Sequence, residues 1–327
     1  MATKDVVRVG FVGVGGVARW AHLGHLSKWE NVKLAGFCDV NKEAAGKAAE
    51  EFKGKAYSDA KTMFKNEELD AVYVCLPPFA HEEQEVLAAE SKLAIFVEKP
   101  LCTTLEKAQE INAAVKKNKV VSAVGYNWRA CSITKKAQEL MKGKTVSAAY
   151  GWWVGGMPGV AWWRNQKMSG GQLNEQTTHV VDIARYLIGG KVTSVFAVGA
   201  KGIANKKVDK HDIHDNSIAL ITFDTGAVVS IGSGHLTSQG YRVGIDFILD
   251  DLTITHNNGE LKVRHTKGEE IHLNANKPYE EEDRAFIEAV QKNKPESVYC
   301  TYADAFETHR VTMAANESME TGKPVTL

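Results

Sequence analysis

Two rhythms of apolar and polar positions divide the chain. Over residues 6–125, short apolar runs alternate with stretches of helical periodicity. Over residues 145–255, longer strand-like runs dominate. In the first part, residues 6–12, 32–38, 71–76, 93–97 and 120–125 read as buried strands, and Ala56-Tyr57 as a shorter one. Residues 17–28, 43–52, 58–65, 81–92 and 106–117 read as the helices between them. Strands alternating with helices predict an α/β unit with a parallel, doubly wound sheet. In the second part, residues 131–141 read as a helix, and 145–154, 192–200, 217–224, 227–234, 242–249 and 252–255 as strands. Asp224-Thr225-Gly226 and Asn257-Asn258-Gly259 are hairpin-turn sequences. This half therefore predicts an α+β domain with a large, mainly antiparallel open sheet. The boundary falls after residue 126, giving domains 1–126 and 127–327. Two closing helices are expected, one opening on the acids Glu280 to Asp283, which complement its dipole, the other on Thr301.

Composition narrows the class without changing this plan. A chain of 327 residues with 44% apolar and 24% charged residues suits a two-domain globular protein. Its 40 basic and 40 acidic residues leave no net charge to attract nucleic acid. No run resembles a membrane span, and the first apolar run is interrupted by Arg8 and by glycines, unlike a signal peptide. Five scattered cysteines without a CxxC pair read as free thiols in a reducing compartment, so a cytoplasmic location is expected.

Candidate chemistry begins where the first strand ends, at Gly13-Val14-Gly15-Gly16-Val17-Ala18. In this G-x-G-x-x-A spacing Gly13 permits a tight turn and Gly15 lets the backbone approach a pyrophosphate. Ala18 lets the next helix pack close to the strand. Asp39 ends the second strand about twenty residues further on, where an acid accepts ribose hydroxyls. It also suits a turn aspartate. An acid there would repel a 2′-phosphate, favouring NAD over NADP, although Lys42 nearby works against that preference. Pro77 and Glu98 also fall at strand ends facing the glycine turn. Pro100 stops the strand before Glu98-Lys99, which reads either as a solvated loop or as a turn facing a ligand. His81 reads as approaching the same crevice or as merely solvated.

In the second half, Gly170-Gly171 introduces a helix expected to run to about Gly189. Glu175 and His179 are four apart on it, with Asp182 three further on, so all three fall roughly on one face. A carboxylate beside an imidazole fixes its tautomer and raises its basicity; an ordinary surface pair has the same spacing. Of the pairs Trp152-Trp153 and Trp162-Trp163, one member of each is free to cover a site while the other packs in the core. His211-Asp212-Ile213-His214-Asp215 reads as a polar loop, and no metal is expected.

Taken together, the glycine turn, Leu76-Pro77-Pro78 with His81, Glu98-Lys99-Pro100, Trp163-Arg164 and the run from Gly170-Gly171 through His179 and Asp182 resemble the glucose–fructose oxidoreductase / inositol dehydrogenase (Gfo/Idh/MocA) family. The likeness covers essentially the whole chain. It implies an N-terminal Rossmann domain and NAD, or NADP, as cofactor. Gly13, Gly15, Gly16, Val17, Ala18, Asp39, Leu76, Pro77, His81, Glu98 and Asn127 would contact that cofactor. It implies that Lys99 and His179 act on the reacting hydroxyl of a sugar or polyol, with Glu175 as the third catalytic group and Trp163 and Arg164 beside the substrate. It further implies a cis peptide before Pro100 and a homodimer or homotetramer formed through the open sheet. The family usually carries Asp where this chain has Glu175. An NAD-dependent glycoside hydrolase with transient redox and a non-catalytic dinucleotide sensor are the other functions the resemblance admits.

Overall fold

The computed structural model describes residues 5–327. The chain divides into two compact units. One holds the residues up to Cys102 with Glu106–Asn127 and Lys277–Phe306; the other holds Thr103–Leu105, Trp128–Asn276 and Glu307–Leu327. The segment 277–306, assigned to the second half on sequence order alone, thus belongs to the first unit. The cause is the apolar face of the helix Pro278–Lys292. Its Phe286, Ile287 and Ala289 are buried in one cluster with Val9, Phe11, Tyr73 and Phe96.

In the first unit the strands are β1 (Val7–Val12), β2 (Val32–Cys38), β3 (Lys55–Tyr57), β4 (Ala71–Val74), β5 (Ala94–Val97) and β6 (Ser122–Val124). They pair in the order β3-β2-β1-β4-β5-β6, all parallel. This is the expected doubly wound sheet. Its winding reverses between β1 and β4, and ligands of such sheets lie outside the strands' carboxyl ends at that reversal. β4 and β5 are buried along their whole length, as strands covered on both faces must be. Two helices differ from expectation. Residues 17–28 form a π-helical turn, Ala18–Leu23, continued by Gly24–Leu26. The helix expected from residue 81 opens at Gln84, because Pro78–Ala80 first forms a 3₁₀ turn.

The second unit contains β7 (Ala148–Val154), β8 (Val192–Ala200), β9 (Asn216–Phe223), β10 (Val228–Gly234), β11 (Arg242–Ile248), β12 (Leu252–Asn257), β13 (Glu260–His265), β14 (Gly268–Leu273) and β15 (Val325–Thr326). The nine form one sheet, ordered β14-β13-β12-β11-β7-β10-β9-β8-β15, in which only β7 and β10 pair in parallel. The hydrophobic pattern did not mark β13, β14 or β15. In β14 every residue is exposed or half-exposed, so no apolar alternation signals it. The inner face packs on the helix Thr178–Ile188, whose Val180, Val181, Ile183 and Ala184 join Ile231, Ile245 and Phe247 in the core.

Candidate active site

In the first unit, the glycine turn closes the end of β1. Gly13 has φ +84°, and a Cβ there would lie 2.4 Å from the Cys75 carbonyl oxygen, so both conformation and space require glycine. Gly15 and Gly16 differ: a Cβ on either would meet nothing within 4 Å. Their backbone therefore borders open space, as close approach of a phosphate needs. Asp39 sits at the end of β2. Its Oδ2 accepts from the Val14 N–H (3.0 Å) and its Oδ1 from the Asn41 N–H (2.9 Å). It serves as the turn aspartate and keeps lone pairs for a ribose. A cleft of about 530 Å³ is lined by Gly13, Gly15, Asp39, Leu76 and Pro77 among others. The glycine turn, its open flank and a hydroxyl-accepting acid fit a dinucleotide.

His81 does not line that cleft. It is buried, with Nδ1 bonded to Glu85 and Nε2 3.3 Å from the Leu76 carbonyl oxygen, so it braces the Leu76-Pro77 corner from behind. Val17 is exposed, Ala18 is buried, and Asn127 is buried at the start of a 3₁₀ turn.

Glu98, one residue past β5, is buried, and the Lys99-Pro100 peptide is cis. Glu98 Oε2 accepts from the Lys99 backbone N–H at 3.1 Å, and its Oε1 lies 3.1 Å from His22 Nε2. His22 Nδ1 lies 2.9 and 3.0 Å from the two oxygens of Asp283, and His25 Nε2 lies 2.6 Å from Asp283 Oδ2. Burial pulls the His22 pKa down, but the charges and hydrogen bonds of Asp283 and Glu98 together outweigh it and raise it to about 10. An imidazolium thus stands between two buried carboxylates, its ring against Tyr73 and Phe96. Sequence reasoning missed this network. Asp283 was read as a dipole-complementing acid at a helix start, yet it is wholly buried 261 residues from its partner.

In the second unit, the helix expected from Gly170 to Gly189 is broken. Gln172–Glu175 and Thr178–Ile188 are separate helices, and the intervening Thr177 is buried with its hydroxyl bonded to Ser233. His179 stands in the first turn of the longer helix. Its ring lies 5.8 Å from that of Trp128 and 5.7 Å from that of Trp153, with near-parallel planes. Glu175 accepts a hydrogen bond from the buried Trp163 indole N–H at 2.6 Å. Asp182, three residues beyond His179 on the same helix, is held by Arg129. The guanidinium grips both its oxygens at 2.6 and 2.7 Å, and Thr308 donates to Oδ1 at 2.8 Å. Arg164 Nε is buried and finds no hydrogen-bond partner among the described residues. Trp162 and Trp163 lie in a 3₁₀ turn; in β7, Trp152 carries Arg242 over its ring while Trp153 faces His179.

The run 211–215 is a loop, as read, but it is not uniformly polar in placement. His211 and Asp215 are buried, and they lie with His235 in a group whose ligand-type atoms are all within 4.8 Å of one another. Burial, then the neighbouring His211, pull the His235 pKa down to about 4.

A doubly wound unit with a cleft fit for a dinucleotide, joined in one chain to a unit built on a large open sheet, has the layout of an NAD-dependent oxidoreductase. The chain belongs to the Gfo/Idh/MocA oxidoreductase family. Residues 7–126 match the family model described as an oxidoreductase family NAD-binding Rossmann fold, and residues 136–262 match the GFO/IDH/MocA C-terminal domain. Among its relatives, an uncharacterized oxidoreductase, YrbE, of Bacillus subtilis (strain 168) is 26% identical over 99% of this chain and 97% of that protein. A scyllo-inositol 2-dehydrogenase (NAD(+)) of the same organism is 26% identical over 98% and 96%. A levoglucosan dehydrogenase solved with NADH and levoglucosan shares the fold, with TM-score 0.84 and 22% identity over 98% of this chain and 99% of that one. The chain is accordingly an enzyme, a dehydrogenase or reductase with an NAD-binding unit. No helix among the described residues is long and apolar enough to cross a membrane.

Proposed function

We propose that the protein moves a hydride reversibly between a secondary alcohol of a sugar, cyclitol or related polyol and NAD. The observation that carries this reading is the cleft at the β1/β4 reversal, where the open-sided glycine turn and Asp39 meet. The relation to a scyllo-inositol dehydrogenase supports the substrate class. NAD held there by the glycine turn and Asp39 would supply the hydride acceptor, and NADH the donor.

The chain's own residues handle the rest. Gly13, Gly15, Gly16, Val17, Ala18, Leu76, Pro77, Glu98 and Asn127 hold the dinucleotide, with His81 bracing Leu76. Asp39 accepts its ribose hydroxyls, which favours NAD over NADP. His179 takes the proton of the reacting hydroxyl; Trp128 and Trp153 fix its ring plane and keep water from it. Glu175, itself steadied by the Trp163 N–H, is the third catalytic group and orients His179. The Lys99 ammonium holds the developing alkoxide, and Glu98 anchors its backbone. Arg164 offers Nε to a substrate oxygen, because a buried donor without a partner among the described residues gains most from one in a ligand. The outer face of the large sheet exposes Tyr150, Val198, Ile218, Leu220 and Val228, an apolar surface suited to pairing with a second copy.

A screen of polyols and aldoses with NAD and NADP in parallel, read by reduced-cofactor absorbance, tests the assignment. At least one polyol should yield NADH, faster than NADPH. Glycoside cleavage with no net NADH would replace it by a transient-redox hydrolase, and absence of turnover with any member would refute it.

A further inference from the structure

We propose that His211, Asp215 and His235 form a binding site for a divalent transition-metal ion, with Zn²⁺ the best match to the donor set. All three side chains are buried within the second unit, and their ligand atoms lie within 4.8 Å of one another. The backbone brings them together. β9 and β10 pair antiparallel with Asn216 opposite Gly234, so the residues flanking these ends, Asp215 and His235, are neighbours, and the His235 N–H reaches the Asp215 carbonyl at 3.3 Å. His211 enters from the loop before β9; its Nε2 is 2.8 Å from His235 Nε2 and 4.0 Å from Asp215 Oδ1.

The protonation state of His235 follows from its neighbours. Gln172 Nε2 donates to the carbonyls of Gly234 (2.8 Å) and Trp153 (3.2 Å). Its Oε1 is therefore the atom facing His235 Nδ1, at 3.2 Å, and that nitrogen carries the hydrogen. His235 Nε2 then presents a lone pair to the centre of the group. A ligating imidazole is characteristically fixed in this way, by a hydrogen bond from its other nitrogen. Asp215 is steadied too: the backbone N–H groups of Ile203 and Ala204 donate to its two oxygens at 2.8 and 3.1 Å.

The other members of the 211–215 run are otherwise engaged. Asp212 accepts from the Gln166 N–H at 2.6 Å and from Asn165, and the His214 ring lies against Gly199.

Two imidazole nitrogens and one carboxylate oxygen, with a fourth position left open, are a set that zinc takes. Metal–donor bonds of about 2.0–2.2 Å set the spacing the donors must reach. The two Nε2 atoms must therefore part slightly and the carboxylate must draw in. Without metal, the His211 Nε2–H donates to His235 Nε2. On binding, the ion takes its place between them and the His211 hydrogen moves from Nε2 to Nδ1, so that His211 ligates as a neutral imidazole.

The test is calorimetric titration of the full chain, stripped with chelator, with ZnCl₂, repeated with CoCl₂ to read the absorption bands of a low-coordinate cobalt site. Wild type should bind one Zn²⁺ per chain. Binding should weaken by about 100-fold or more in His211→Ala and His235→Ala, and stay unchanged in His272→Ala, which removes a half-exposed histidine outside the group. His211→Gln keeps a donor for His235 and so protects the fold, and it should lose the ion as fully as His211→Ala. Absence of saturable one-to-one binding by wild type, or binding that survives in His211→Gln and His235→Ala, would overturn the site.

Discussion

Each unit buries a cation against carboxylate beside residues assigned to the reaction, and the two cations differ in kind. In the first, His22 is held between Asp283 and Glu98, and Glu98 in turn takes the Lys99 N–H. In the second, Arg129 grips Asp182, three residues beyond His179 on the same helix. A guanidinium stays charged at any working pH and meets a carboxylate with two parallel bonds. An imidazolium is charged only as long as its surroundings keep it so. The first anchor is therefore conditional on pH and the second is not.

The larger effect is expected at the permanent anchor. Arg129→Ala leaves the Asp182 carboxylate buried with the Thr308 hydroxyl as its remaining donor from that set. Breaking such a pair costs about 3–5 kcal/mol. Urea unfolding should show that loss almost equally at pH 6 and pH 9; a cost that disappeared at either pH would erase the contrast.

A smaller and pH-graded effect is expected for His22→Gln. The folded pKa of about 10 lies above the usual 6.5, so the stabilisation from this group is complete below about pH 6.5 and fades as pH rises through 10. The melting-temperature gap between wild type and variant should be widest near pH 6 and narrow towards pH 10. A gap constant across that range would mean that the imidazole acts by packing and not by charge.

The same contrast explains what the sequence made legible. The glycine turn, Asp39 and Glu98-Lys99 are local features: each sits where an apolar run stops, and period-two and period-3.6 patterns place such stops well. The strands from 192 to 234 were equally plain, since β9 alternates strictly between buried and exposed residues. Long-range partners left no such trace. Nothing around Asp283 signals His22, and nothing around Asp182 signals Arg129. Asp182 therefore read as a companion of His179, when a guanidinium 53 residues away had claimed it. The break at Gln176-Thr177 was hidden for a similar reason, because Thr177 is bonded to Ser233 on a strand 56 residues further on. Likewise, nothing around His211 and Asp215 signals His235, which the register of β9 and β10 sets beside Asp215.

In the proposed function the first unit holds NAD while Lys99 and His179 act on the hydroxyl being oxidised. The most direct test measures NADH affinity and turnover together in Lys99→Ala and His179→Ala, on the polyol that the screen identifies. NADH should bind both variants within about twofold of wild type, while turnover falls by about 10²-fold or more. Wild-type turnover in both variants would contradict the claim.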